Sequence, residues 1–178
     1  MTLLRGVADQ MCILTGKKRT TNMPVAKDSK ASSKMTMEKI AIILRGVPGS
    51  GKSTFTNMIR KLHGENCEVA VHAVDDLHKD SDGCFVWNEP KERAFYMLNL
   101  ANFVKSCAEG IPVVVCDCIN ITFEDFKPYL EAAKEFDYKT YVVTPELPQP
   151  LVGATRNNHS VSENQIDQML SDWEPWPS

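Results

Sequence analysis

Residues 46–53 read Gly-Val-Pro-Gly-Ser-Gly-Lys-Ser, and Gly46, Gly51, Lys52 and Ser53 meet the pattern G-x-x-x-x-G-K-[ST]. The chemistry of this pattern is polyphosphate binding. Its glycines let the backbone curl into a nest whose N–H groups converge on phosphate oxygens. A helix opening at the same point adds its positive dipole end. On this reading Gly46, Gly49, Ser50, Gly51, Lys52, Ser53 and Thr54 form the nucleotide site. Lys52 reaches the β- and γ-phosphates, and the Ser53 hydroxyl holds Mg²⁺. ATP and Mg²⁺ are therefore the expected cofactors. The competing reading is a glycine-rich turn with no ligand; a chance match in a chain this long is roughly one in a hundred.

Three other positions carry candidate chemistry. Asp117 ends the apolar run Val113-Val114-Val115-Cys116. A carboxylate there orients Mg²⁺ or its water beside a phosphate loop; the competing role is a loop cap. Asp75 and Asp76 follow a valine-rich run. Asp75 would accept the proton of a substrate hydroxyl as phosphoryl transfer begins; a solvated turn or an N-cap pair is the alternative. Arg156 is the sole arginine after Arg93. It suits a cation on a mobile segment that offsets transition-state charge, and equally a surface arginine. His159 reads as structural, and His63, His72 and His78 have no metal-ligand spacing. Trp87, Trp173 and Trp176 read as packing at the domain edge, with base stacking as the alternative.

These residues need elements to hold them. Ile40 to Leu44 is a short apolar run, as expected of a buried parallel strand. Ser53 to Leu62 predicts a helix with Phe55, Met58, Ile59 and Leu62 on one face. Glu68 to Val74 predicts a second strand, and 75–87 a polar loop. Asn88 as N-cap and Pro90 in the first turn open a helix striped by Ala94, Met97, Leu98, Ala101, Val104 and Ala108. Gly110 and Pro112 stop it. Strands follow at 111–116 and 138–143, around a helix that Thr122 and Asp125 open as a capping box. Pro128 predicts a kink or restart in that helix. Pro148, Pro150 and Gly153 weaken any helix after Pro145, and a last helix covers Ser162 to Ser171. Alternating strands and helices predict an α/β three-layer sandwich, a mostly parallel sheet flanked by helices, of the P-loop NTPase type. Ligands in such sheets bind at the carboxyl ends of the strands, where the phosphate loop, Asp75 and Asp117 all fall.

The 178 residues suffice for about one domain. Residues 1–37 carry seven Lys/Arg against two Asp/Glu, and the remainder thirteen against twenty-one. The expected division is a basic, disordered tail at 1–37 and a kinase-like domain at 38–178. Leu3, Leu4, Val7, Met11 and Leu14 recur at helical spacing, as in import peptides, but Gly6 and Asp9 oppose that role. The acidic body disfavours a long nucleic-acid groove, though not the gripping of a short end. Six cysteines without a C-x-x-C pair read as reduced, packed thiols. That suits an intracellular compartment, the cytoplasm first, with nucleus and mitochondrion as alternatives. No run of roughly 18 apolar residues exists to span a membrane. A monomer is expected. The guanine-reading signature N-K-x-D is absent, which argues against a GTPase.

Several short motifs, in order, carry a family resemblance. They are Leu44-Arg45-Gly46, Asp75-Asp76, Asp82-Gly83, Asn88, Asp117 with Asn120, Lys127-Pro128-Tyr129, and Arg156-Asn157, His159, Val161-Ser162. Residues 38–174 thereby resemble the polynucleotide-kinase-like P-loop group. Within it they look most like the NEDD four-binding protein 2-like proteins, and next like the N-terminal domain of 2′,3′-cyclic-nucleotide phosphodiesterase. The resemblance implies that Asp75 is the base on a 5′-hydroxyl, that Arg156 is the lid arginine, and that Gly51, Lys52, Ser53 and Thr54 hold Mg²⁺-ATP. Three departures stand out. Leu77-His78 follows the acid pair where the phage kinase has an arginine for the substrate phosphate. The family's D-x-T-N has become Asp117-Cys118-Ile119-Asn120. The lid segment has gained Pro148, Pro150 and Gly153. The paired H-x-T motifs of the phosphodiesterase are missing, which excludes that activity. The expected function is transfer of the γ-phosphoryl of Mg²⁺-ATP to a hydroxyl, a nucleic-acid 5′ end or a small-molecule acceptor. The alternative is a nucleotide-binding interaction module, with a protein partner, that has lost transfer.

Overall fold

A computed structural model describes residues 38–63 and 68–176. The expectations for the basic tail at 1–37 lie outside the described residues. Four strands form one sheet: β1 Ile40–Leu44, β2 Val69–His72, β3 Val113–Asp117 and β4 Lys139–Val143. Their order is β2-β3-β1-β4 and all pairings are parallel. The helices are α1 Lys52–His63, α2 Val74–Leu77, α3 Glu92–Glu109, α4 Phe123–Glu135, α5 Pro150–Arg156 and α6 Glu163–Ser171.

Side chains alternate along each strand, so the sheet has two unlike faces. Ala41, Ile43, Val114 and Cys116 face one way and pack with Phe103 of α3 and Phe126 and Tyr129 of α4. Leu44, Val113 and Val115 face the other way and pack with Ile59 and Phe55 of α1. Three layers result, as expected of an α/β P-loop fold. Cys116 and Cys118 are free, buried and on the same face, consistent with packed thiols.

The helices depart from expectation in five places. Met58 and Leu62 of α1 are exposed, while Thr56 beside Ile59 is buried. On α3 the buried positions are Asn99, Phe103, Ser106 and Cys107, and Met97 and Leu98 face solvent. The buried polar groups are partnered, which is why they outrank the apolar stripe. Asn99 Nδ2 donates to Tyr129 Oη at 3.0 Å, and Ser106 Oγ lies 3.0 Å from His72 Nε2. Asn88 begins a short 3₁₀ turn at Glu89–Lys91 without a side-chain cap. The helix α4 runs through Pro128 as one element instead of restarting, with Thr122 N–H donating to Asp125 Oδ2 at 2.8 Å in its capping box. A helix also forms where prolines argued against one: Pro150 stands in the first turn of α5, where no intrahelical N–H is needed.

The chain after α6 is tied back to the sheet by a buried arginine. Arg45, 2% exposed, follows β1 directly. Its Nε donates to Asn120 O at 2.9 Å, and its Nη2 donates to Ile121 O at 2.6 Å and Glu174 O at 2.7 Å. Its guanidinium carbon lies 4.6 Å from the Phe126 ring centre and 4.4 Å from that of Trp173. Asn120, left-handed at φ 52°, donates to Leu44 O at 2.7 Å. This clamp fixes the turn after β3 and hence the end of the strand that carries Asp117.

Candidate functional site

The loop between β1 and α1 is built on two left-handed glycines, Gly49 at φ 78° and Gly51 at φ 94°. Ser50 N–H donates to Val47 O at 3.2 Å, and Phe55 N–H to Gly51 O at 3.0 Å as α1 begins. Gly46 leaves no room for a side chain, since a Cβ there would lie 2.3 Å from Ser50 Oγ. Lys52 turns back across the loop, and its Nζ donates to Gly46 O at 2.7 Å and Val47 O at 3.3 Å. Burial pushes its pKa below the ordinary lysine value, and the nearby charges of Asp117 and Asp75 offset part of that.

Asp117 closes β3 in register with Leu44 of β1, so it stands beside the root of the loop. Its Oδ2 accepts from Thr56 Oγ1 at 2.8 Å. Burial holds its pKa above the usual carboxylate range. The Thr56 hydroxyl and Lys52 pull it down, and Asp75 and Asp76 push it up. Thr56 carried no expectation from the sequence, yet it lies one helical turn past Lys52 and so on the same face. That spacing was the available signal.

Asp75 and Asp76 lie in the single turn α2 rather than in a loop. Asp75 Oδ2 is 3.2 Å from His159 Nε2, so His159, read as structural, touches the candidate base. Asn157 wires the segment that carries it. Its Nδ2 donates to Gly153 O, Ala154 O and Val161 O at 2.9–3.0 Å. Its Oδ1 accepts from the N–H of His159 at 3.1 Å and of Val161 at 2.9 Å. The other end of this segment rests on the phosphate loop: a Cβ on Gly49 would meet Gly153 O at 2.5 Å, and one on Gly153 would meet Pro48 O at 3.0 Å. Arg156, at the end of α5, is exposed and has no hydrogen-bond or ion-pair partner among the described residues.

One cavity of about 900 Å³ gathers these positions. Gly49 to Thr54, Asp117, Asp75 and Arg156 all line it. Gly46, which precedes the turn at Pro48 and Gly49, is not among the lining residues. His78, Phe85 and Trp87 line the same cavity beyond Asp75. Trp173 and Trp176, by contrast, pack on Arg45 and Phe126 at the domain edge.

The donor set suits a Mg²⁺-polyphosphate. Among the described residues Ser50 Oγ is buried in the loop without a hydrogen-bond partner, and Lys52 is a partly buried cation that bonds only to carbonyls. No cluster of three or more His, Cys, Asp or Glu side chains among the described residues could hold a metal alone. Mg²⁺ is commonly bound by one or two protein oxygens together with substrate phosphates and water, and Ser53 with Asp117 fits that pattern. No helix among the described residues is long and apolar enough to cross a membrane.

No family model matches the chain. Two curated relatives are similar in sequence. YLP motif-containing protein 1 of Rattus norvegicus is 26% identical over 160 residues, or 79% of this chain and 12% of that protein. Human NEDD4-binding protein 2 is 26% identical over 144 residues, or 78% of this chain and 8% of that protein. The chain thus spans only a small part of the relatives it matches. Three of the solved structures that share the fold illustrate it. A chain of the Pnkp1/Rnl/Hen1 RNA repair complex aligns with TM-score 0.58 and 15% identity, covering 80% of this chain and 46% of that one. A gluconokinase from Sinorhizobium meliloti 1021 aligns with TM-score 0.51 and 22% identity, covering 76% and 75%. Kti12 of Chaetomium thermophilum, in complex with ADP-AlF3, aligns with TM-score 0.51 and 14% identity, covering 76% and 80%. The chain has an α/β P-loop fold; it is similar in sequence to NEDD4-binding protein 2 and in fold to a chain of the Pnkp1/Rnl/Hen1 complex and to a gluconokinase.

Proposed function

We propose that this chain transfers the γ-phosphoryl group of Mg²⁺-ATP to a hydroxyl acceptor, a nucleic-acid 5′ end first among them. The observation that carries the reading is the single cavity lined by the phosphate loop, Asp117, Asp75 and Arg156. Gly49 to Thr54 bind and orient the polyphosphate through backbone N–H groups, and Lys52 leaves its loop carbonyls to bridge the β- and γ-oxygens. Ser53 and Asp117 hold Mg²⁺, which neutralises charge on the phosphates. Asp75 takes the acceptor's proton as the acceptor oxygen bonds to the γ-phosphorus and the bond to the β-bridging oxygen breaks, releasing ADP. Arg156, whose side chain has no partner among the described residues, offsets charge on the transferring group.

The test is label transfer from γ-labelled ATP with Mg²⁺ to 5′-hydroxyl RNA and DNA oligonucleotides, beside Asp75→Asn and a no-acceptor control. Acceptor-dependent labelling that Asp75→Asn abolishes is the expected result. ATP binding without labelling of any acceptor would leave the non-transferring module in its place. A small-molecule acceptor is the near variant, favoured by the acid excess of residues 38–178.

A further inference from the structure

The cavity has two unlike ends. Among the described residues its only lysine and arginine, Lys52 and Arg156, stand at the phosphate loop and the end of α5. Beyond Asp75 the lining turns aromatic and acidic, with His78, Phe85, Trp87 and Tyr96 beside Glu92. A phosphate carried by the acceptor would meet Asp75 and Glu92 there and, among the described residues that line it, no lysine or arginine. At a few ångströms, like charges cost free energy even near a wet surface. A flat, uncharged ring meets no such penalty.

Trp87 is the surface for that ring. It is 56% exposed yet held in place: its indole stacks on the His78 ring at 4.9 Å between centroids, with 16° between planes. His78 is itself 3% exposed, packed edge-on against Phe95 at 4.8 Å and tilted against Phe85 at 5.4 Å. Neither His78 nitrogen has a hydrogen-bond partner among the described residues, so ring packing against Trp87, Phe95 and Phe85 is what holds the imidazole. The contacts continue to the reacting end. Phe85 lies 4.2 Å from the His159 ring, and His159 touches Asp75. Trp87, His78, Phe85, His159 and Asp75 thus form one run of contacts from an open indole to the candidate base. An immobilised aromatic face next to a reacting group binds a π-system at little entropic cost.

We propose that Trp87 with His78 beneath it is the acceptor subsite, and that the acceptor is a nucleoside unit read through its base, with no requirement for a phosphate of its own. This rests on the phosphotransferase reading above. The hydroxyl is then presented to Asp75 by stacking, not by a charged grip on a neighbouring phosphate.

The test compares four acceptors with the full chain, γ-labelled ATP and Mg²⁺: a nucleoside, its 3′-monophosphate, a 5′-hydroxyl oligonucleotide, and that oligonucleotide with an abasic 5′ residue. Base stacking is worth about 1–3 kcal/mol, so the abasic acceptor should lose roughly five- to 150-fold in kcat/KM. The nucleoside and its 3′-phosphate should agree within about threefold. Trp87→Ala should erase the preference for the base-bearing oligonucleotide and leave KM for ATP unchanged, and Trp87→Phe should restore most of it. Equal labelling of abasic and base-bearing ends, or labelling that requires the 3′-phosphate, overturns the proposal. Calorimetric binding of the nucleoside to the ADP-saturated protein separates the two readings. Absence of labelling with nucleoside binding that Trp87→Ala removes would refute transfer alone. Absence of both would refute both.

Discussion

Asp117→Asn should make the unliganded protein more stable at neutral pH and the Mg²⁺-ATP-saturated protein relatively less so. Asp117 is 9% exposed and receives a single side-chain hydrogen bond, from Thr56 at 2.8 Å. Burial holds its pKa above the ordinary carboxylate value despite Thr56 and Lys52. The folded protein therefore binds this proton more tightly than the unfolded chain does. The resulting cost is absent below the unfolded value of about 3.9. It grows as pH rises to the folded value and is complete above it. The cost is therefore borne at neutral rather than at acid pH. Asparagine keeps the shape, and its Oδ1 can still accept from Thr56. Each pH unit by which burial raises the carboxyl is about 1.4 kcal/mol that asparagine restores. Asp117 is also the largest of the charges that offset the burial of Lys52, so part of that gain is lost with the carboxylate. A gain of about 1 kcal/mol raises Tm by roughly 3 °C in a domain of this size. Saturation at a hundred times Kd adds about 2.7 kcal/mol to the wild type. The variant, lacking a metal ligand, gains less, so the order of stabilities reverses. Thermal unfolding of both proteins from neutral pH down to pH 4, with and without Mg²⁺-ATP, reads every part of this. A variant less stable than wild type without ligand at pH 7 would refute the burial argument, and the absence of a reversal would refute the metal role.

Three further predictions follow from contacts already described. Arg45→Met leaves the carbonyls of Asn120, Ile121 and Glu174 without their donor and should cost about 3–5 kcal/mol in urea unfolding. Arg45→Lys should not restore it, because an ammonium cannot span three carbonyls between two rings; a loss under 1 kcal/mol would show the clamp to be incidental. His159→Phe keeps the ring against Phe85 but loses the nitrogen 3.2 Å from Asp75 Oδ2, so kcat should fall about fivefold, for a contact worth about 1 kcal/mol. His159→Gln should recover part of that with KM for ATP unmoved, and equal rates in all three proteins would remove His159 from the mechanism. Gly49→Ala places a Cβ 2.5 Å from Gly153 O at a left-handed φ, so it should weaken ATP binding at least tenfold by calorimetry; unchanged affinity would mean that α5 need not rest on the loop.

How much of this was legible depended on how far apart the cooperating residues are in sequence. The phosphate loop is eight contiguous residues, and β1, β3 and Asp117 are marked by apolar runs that end abruptly, so each could be read locally. Asp75 with His159, and Arg45 with Glu174, meet only after folding. Helix faces were misread for a related reason. Apolar spacing selected Met97 and Leu98, but Asn99 and Ser106 turn inward because Tyr129 and His72 wait there as partners. The most instructive case is the segment after Pro145. Its prolines and Gly153 read as damage to a helix and as grounds for lost transfer. In the fold Pro150 begins α5, where proline is favoured, and Gly153 lies so close to the loop that a Cβ on Gly49 would collide with Gly153 O at 2.5 Å and one on Gly153 would press on Pro48 O at 3.0 Å. A residue that weakens a helix in isolation is what allows this one to approach the phosphate loop and hold Arg156 over the cavity. The composition that argued against a working lid is therefore equally the composition that a closely seated lid requires.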